Sequence, residues 1–317
     1  MLCWIRQLQI VLTSQKTKNK IIIGDNEKDN LTMSVKIYKY MSPLKDNATI
    51  KITNLSYDVI LQIMNGQYYD IEIWTGYKNN NKSNNNLIRI FNGGVIYISN
   101  GFQRDKDNTV IISCGSKLVA RYGQKRMNLT LNSGINMYAA LKYICLKNGI
   151  KNSNISKQLK RDILNYNSTI NKTTGSYFND LVNSNTNLIV NSDSSESGSS
   201  IVTIFNAKRS NNRVFQLDSK LINLNGGYPT FDENGLKFSM LPTFNLNCGD
   251  VIKLDNSLIN LGNGSSYTES AKKGYLIDKD GYYMVTEIVY DLENRGNTFN
   301  VDVNCKSRNL ISNYIQR

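Results

Sequence analysis

There is no histidine in this chain of 317 residues. That one absence removes Ser-His-Asp and Cys-His catalysis, HExxH metalloproteases and every imidazole metal site. Cysteine is sparse: Cys3, Cys114, Cys145, Cys248 and Cys305 are odd in number and never fall in a C-x-x-C spacing. This points to reduced thiols in a protein made in a cytosol rather than to a disulfide framework or a zinc site. Only three prolines interrupt the chain. No run reaches the ~18 apolar residues that a membrane helix needs, so no membrane association is expected. The N-terminus, MLCWIRQLQIVLTSQ, lacks an unbroken apolar core of signal-peptide length. It alternates Leu8, Ile10 and Leu12 against Gln7, Gln9 and Val11, the pattern of a first strand.

Positive charge is plentiful, with a formal net charge of +13. Lysine and arginine that neutralise phosphates give non-specific affinity for nucleic acid. The basic residues are nevertheless dispersed: Lys16, Lys18 and Lys20, then Arg121, Lys125 and Arg126, then Lys157, Lys160 and Arg161, then Lys208, Arg209 and Arg213. No nucleic-acid motif accompanies them, and solvated loops account for such groups.

From residue 1 to 115 the period is mostly two. Met33, Val35 and Ile37 alternate with polar neighbours, as do Ala48, Ile50 and Ile52, and then Tyr69, Ile71 and Ile73, each set giving one apolar face. A helix over 56–64, stopped by Asn65 and Gly66, is predicted between the last two strands. The run KNNNKSNNN, 78–86, reads as an exposed hairpin tip, followed by strands at Leu87–Phe91, Val95–Ile98 and Val110–Cys114. Over 116–206 the period changes. Met137, Leu141, Ile144 and Cys145 mark a helix face, with Asn132 and Ser133 as N-cap candidates and a Schellman-like ending at Gly149 and Ile150. A weaker helix is predicted over Ile155–Tyr166 and a short one over Ser176–Val182. A hairpin of Asn187–Ser192 and Ile201–Asn206 carries the tip DSSESGSS. From 207 to 317 strands return at Val214–Leu217, Leu236–Met240, Val251–Leu254, Tyr282–Val289 and Phe299–Cys305, the last two joined by DLENRGN. The fold class expected is mainly β: two small antiparallel barrels, 1–115 and 207–317, flanking an α+β middle domain, 116–206.

Four clusters invite a chemical reading. Cys248-Gly249-Asp250 places a thiol beside an acid, but without histidine or a helix N-terminus to activate the thiol it reads as an inter-strand turn. Asp193 and Glu196 sit in a Ser-rich tip that cannot hold the separation a glycosidase pair requires. Gly93-Gly94 lacks both the P-loop spacing and a following helix and reads as a bulge or strand bend. The Tyr and Lys residues of Lys36–Met41 could stack bases in a barrel groove, although strand pattern alone explains them. No catalytic residue, metal or cofactor is expected.

The ordered motifs resemble the baseplate hub proteins of bacteriophage tails and related contractile injection systems. Ala48–Ile52 followed by Asn54, Leu55 and Ser56 is similar to the family's A-x-I-x-I strand ending in N-L-S before a short helix. Gly76-Tyr77, Phe91 with Gly93 or Gly94 and Val95 or Ile96, and Ile112, Cys114 and Gly115 follow in the family's order. The second barrel's pattern is met by Gly235, Leu241, Pro242, Gly249, Asp250, Gly281, Tyr283 and Val285. Cys248 stands where the family often has proline, and a long loop over 256–274 is a further departure. The resemblance implies a non-enzymatic structural protein of the virion tail, made in the host cytoplasm. Three chains would form a ring of six barrels joining a sixfold tail tube to a threefold spike and surrounding the path of ejected DNA. Implied partners are further copies of the chain, tube protein, spike protein and other baseplate proteins, with passive DNA contact. The chain ends soon after the second barrel, so the spike is expected to be a separate protein. Asn54, Leu55 and Ser56 are the candidate interface residues. Rival readings are a sixfold distal tail or adaptor ring, a nucleic-acid-binding barrel and a cell-wall hydrolase.

Overall fold

The computed structural model describes residues 5–14, 16–24, 31–42, 45–65, 68–78, 87–101, 108–184, 188–191, 202–206, 213–218, 220, 222, 228–232, 235–243, 245–260 and 277–307. The tip residues 79–86, Gly66, Lys208, Arg209, Asp193, Glu196 and most of the 256–274 loop lie outside them. Among the described residues no helix is long and apolar enough to cross a membrane.

The first segment contains β1 (Ile5–Ser14), β2 (Lys20–Ile23), β3 (Thr32–Tyr40), β4 (Asn47–Thr53), helix α1 (Tyr57–Met64), β5 (Tyr68–Lys78), β6 (Ile88–Gly101) and β7 (Thr109–Ser116). Their alternation works as the sequence suggests. Met33, Val35 and Ile37 of β3 and Ala48, Ile50 and Ile52 of β4 are buried, with Val35 opposite Ile50 and Ile37 opposite Ala48. The two strands expected around Gly93-Gly94 are one strand, β6, irregular in register opposite Ile73/Trp74 of β5 and again at Val95/Tyr97 against β7. A Cβ at Gly93 would lie 2.2 Å from the Gly115 carbonyl oxygen, so the close approach there demands glycine.

The middle segment runs through α2 (Lys117–Tyr122), β8 (Arg126–Leu131), α3 (Met137–Lys147), β9 (Ser153–Ile155), β10 (Ser168–Thr173), α4 (Thr174–Ser184), β11 (Leu188–Asn191) and β12 (Val202–Asn206). Helix α3 ends as predicted. Gly149 has φ +80, its N–H reaches the Leu146 carbonyl at 3.0 Å, and the Ile150 N–H reaches the Cys145 carbonyl at 2.8 Å. Its N-cap is Asn136 rather than Asn132 or Ser133, because the Asn136 side chain immediately precedes the helix and accepts the Ala139 N–H at 2.8 Å. The helix expected over Ile155–Tyr166 is only a 3-10 turn, Lys157–Arg161. Ile155 is held in β9 by parallel pairing with β12, and Ile163 bridges Asn136, so both ends are drawn into strand contacts.

The last segment supplies β13 (Val214–Gln216), β14 (Thr230–Asp232), β15 (Gly235–Met240), β16 (Val251–Lys253), β17 (Tyr282–Glu293) and β18 (Phe299–Ser307). Strands of the first and last segments form one 13-stranded sheet, in the order β14-β15-β18-β17-β3-β4-β7-β6-β5-β1-β2, with β16 joined to β17 and β13 to β16. The join is β17. Its start, Tyr282–Met284, pairs with β16, while Glu287–Glu293 pairs with β3, and a register shift between Val285 and Glu287 marks the change. One apolar core runs from Leu8 of β1 to Cys305 of β18, and a second fills the middle segment from Leu118 to Ile204. The observed architecture is thus mainly β, largely antiparallel, with a separate α+β core in the middle segment.

A candidate assembly surface and a buried junction

Asn54, Leu55 and Ser56 form the turn between β4 and α1. Asn54 adopts φ +64, and its N–H donates to the Asn108 carbonyl at 2.8 Å. Leu55 is buried, whereas Ser56, the N-cap, is exposed and makes no side-chain cap bond. The turn therefore fixes the start of α1, and α1 is apolar on two sides. Ile60 and Ile63 face the core, while Tyr57, Leu61 and Met64, at helical spacing on the outside, are 59%, 38% and 51% exposed. A solvent-facing apolar stripe on a helix whose inner face is already packed is the pattern of a contact surface. The segment YDVILQIM does not by itself show that Tyr57, Leu61 and Met64 turn outward, because Asp58 and Gln62 share the exposed side with them.

The Cys248-Gly249-Asp250 turn is a junction of all three segments. Gly249 has φ +91, and a Cβ there would come within 2.7 Å of the Ile189 and Phe205 side chains of β11 and β12. Asn191 of β11 donates to the Cys248 carbonyl at 2.8 Å. On the other side Lys39, the last inward residue of β3, is buried and donates to the Leu246 carbonyl and the Asn247 side-chain oxygen, both at 3.3 Å. Its ammonium also lies 5.7 Å from the Tyr290 ring centre. Asp250 accepts from the Arg213 guanidinium at 2.7 and 3.1 Å and from the Asn247 N–H at 2.7 Å.

The Cys248 thiol donates to the carbonyl of Thr286, the residue at the irregularity of β17, at 3.4 Å. Burial pushes this thiol well above its ordinary pKa. The thiol is 2% exposed, burial disfavours its thiolate, and its hydrogen bond ties the turn to β17, so its visible role is to hold that turn. Burial likewise pushes the Asp250 carboxyl up, against the opposing pull of Arg213. The turn expected between two strands is also a clamp on its neighbours.

The other candidates separate. Tyr38 and Tyr40 stack side by side on the outer face of β3, with Lys36 over Tyr38 at 5.7 Å. Lys36 also faces Asp291, and the Tyr40 hydroxyl is pushed above its ordinary pKa first by burial and then by Glu287, so each ring has a carboxylate nearby as well as a lysine, Lys45 lying 5.9 Å from the Tyr40 ring centre. Among the described residues no three Cys, Asp or Glu side chains converge to hold a metal ion.

No family model matches the sequence, and no curated protein matches it. Solved structures do. The 43 kDa tail protein of prophage MuSo2 from Shewanella oneidensis is 8% identical, covering 96% of this chain and 98% of its own at a TM-score of 0.55. A tail protein from Neisseria meningitidis is 7% identical, with 95% and 96% covered and a TM-score of 0.54. The chain has the fold of phage tail proteins. The same tail-protein fold is seen in an E. coli component of the type VI secretion system that is structurally similar to the T4 tail proteins gp27 and gp5 (8% identity, 87% and 73% covered, TM-score 0.55).

Proposed function

We propose that this protein is a structural component of a phage tail, the baseplate hub, and acts without catalysis. The observation that supports this best is the end-to-end likeness to the Shewanella tail protein, which covers 96% of this chain and 98% of that one. In this reading residues 1–115 and 207–317 are two barrel-like halves flanking the 116–206 middle domain. Three chains alternate such halves around a ring, giving near-sixfold symmetry toward the tube and threefold symmetry toward the spike. The turn Asn54–Ser56 and the outer stripe of α1 contribute to contacts with neighbouring copies or tail partners, namely tube, spike and other baseplate proteins. DNA passes through the ring with no specific recognition. The particle belongs to the virion tail, its subunits being made in the host cytoplasm.

Mass measurement of the purified chain, with averaged negative-stain images taken in the presence of tube protein, tests the proposal. Threefold rings are expected. A persistent monomer with no ring overturns it, and sixfold rings replace it with a distal tail or adaptor ring.

A further inference from the structure

Strand β8 pairs along its full length with β10, from Arg126 opposite Thr173 to Leu131 opposite Ser168, and these two strands are a sheet by themselves. Among the described residues no strand pairs with the other edge of β8. That edge is the floor of a groove of about 320 Å³ between β8 and the end of α3. The lining includes five successive β8 residues, Arg126 to Thr130. Side chains of a strand point alternately to opposite faces, so a wall that touches all five is the backbone edge and not one face.

The walls carry charge of one sign. Lys125, Arg126 and Lys147 line the groove and no carboxylate does. Lys125 is held by the last turn of α3, donating to the Asn148 carbonyl at 2.7 Å. Arg126 and Lys147 are exposed and form no ion pair among the described residues, Lys147 lying 5.5 Å from the Tyr143 ring centre. The surroundings reinforce the sign: residues 116–206 hold 11 Lys and Arg against 4 Asp and Glu, a net +7 of the chain's +13.

We infer that the open edge of β8 takes up an extended acidic peptide from a partner protein as a third strand. Backbone groups of the edge supply the ladder, as in other strand-addition sites, and carboxylates at alternate positions meet Arg126 and Lys147. The charge also selects against the commonest wrong occupant. A second copy of this edge would bring its own cations and be repelled.

The test uses the full chain and a fluorescent peptide of about eight residues alternating valine and glutamate, read by anisotropy at low salt and at about 0.5 M salt. Saturable binding that weakens with salt and falls at least about tenfold in Arg126→Glu with Lys147→Glu is expected. Both positions are exposed, so the double variant should fold as the parent does. Two controls decide the mode. The same peptide N-methylated at alternate backbone nitrogens should lose binding, and a lysine-for-glutamate peptide should not bind. Equal binding of the N-methylated peptide overturns strand addition. Tighter binding of oligo-dT than of the acidic peptide, lost in the same double variant, overturns the protein partner in favour of nucleic acid. No acidic-peptide binding at low salt overturns the site altogether.

Discussion

Asp250, in the turn read from the sequence between two strands, carries a structural charge at close quarters. Its carboxyl is held above the usual carboxylate range chiefly by burial, with the Arg213 guanidinium pulling the other way. A carboxyl whose pKa is raised on folding binds its proton more tightly folded than unfolded. The ionised form therefore costs stability at neutral pH, and the cost disappears as pH falls below the unfolded value, about pH 4. Arg213→Ala removes the compensating charge, so its destabilisation should be largest at neutral pH. The loss of a fully buried partner runs to several kcal/mol, but Arg213 is about a third exposed, so about 1–3 kcal/mol is expected at pH 7. Most of that should be absent near pH 4. Urea denaturation at the two pH values checks it. A loss of equal size at both would mean that Arg213 acts by packing over Phe215, whose ring centre lies 5.2 Å from it, and not by charge.

At the scale of elements, what could be read in the sequence was what local periodicity carries. Strands β3, β4 and β18 alternate strictly, and α3 ends on a glycine that must adopt positive φ, so each announces itself. The β8 alternation of Met127, Leu129 and Leu131 was equally present but hidden by the helical period around it, and α2 is too short to show a period. Of the candidate surface, the turn at Asn54–Ser56 was pointed to by the resemblance of its Asn-Leu-Ser motif before a short helix. The stripe on α1 could not be found, since an apolar residue in sequence does not say which of two faces it takes. That stripe makes its own prediction. Leu61→Gln with Met64→Gln, both on the exposed side of α1, should cost no more than about 1 kcal/mol, Leu61 being 38% and Met64 51% exposed. If the chain forms the ring proposed above, the same pair should reduce its self-association in solution. An unaltered oligomer mass at the same concentration would remove α1 from the protomer contacts.

For the whole molecule, the least legible fact was that the first and last segments are joined by one strand. Partners far apart in the chain leave no local signal, and the pairing of β17 with β3 spans about 250 residues, as from Glu287 to Tyr40. Tyr290 sits where the consequence is sharpest. It pairs with Ile37 of β3 on one edge of β17 and with Val301 of β18 on the other, and it is fully buried in the core that both segments share. If β17 ties the two segments into one cooperative unit, a cavity at this position must be felt on both sides. Tyr290→Ala is expected to cost about 3–5 kcal/mol, as for other large buried aromatics. Hydrogen exchange should then quicken together in β3, β4 and β18, while β11 and β12, in the separate middle core, keep more of their protection. Faster exchange confined to β17 and β18, with β3 and β4 unchanged, would show instead that the two segments unfold independently and that the β17–β3 ladder is only an interface between them.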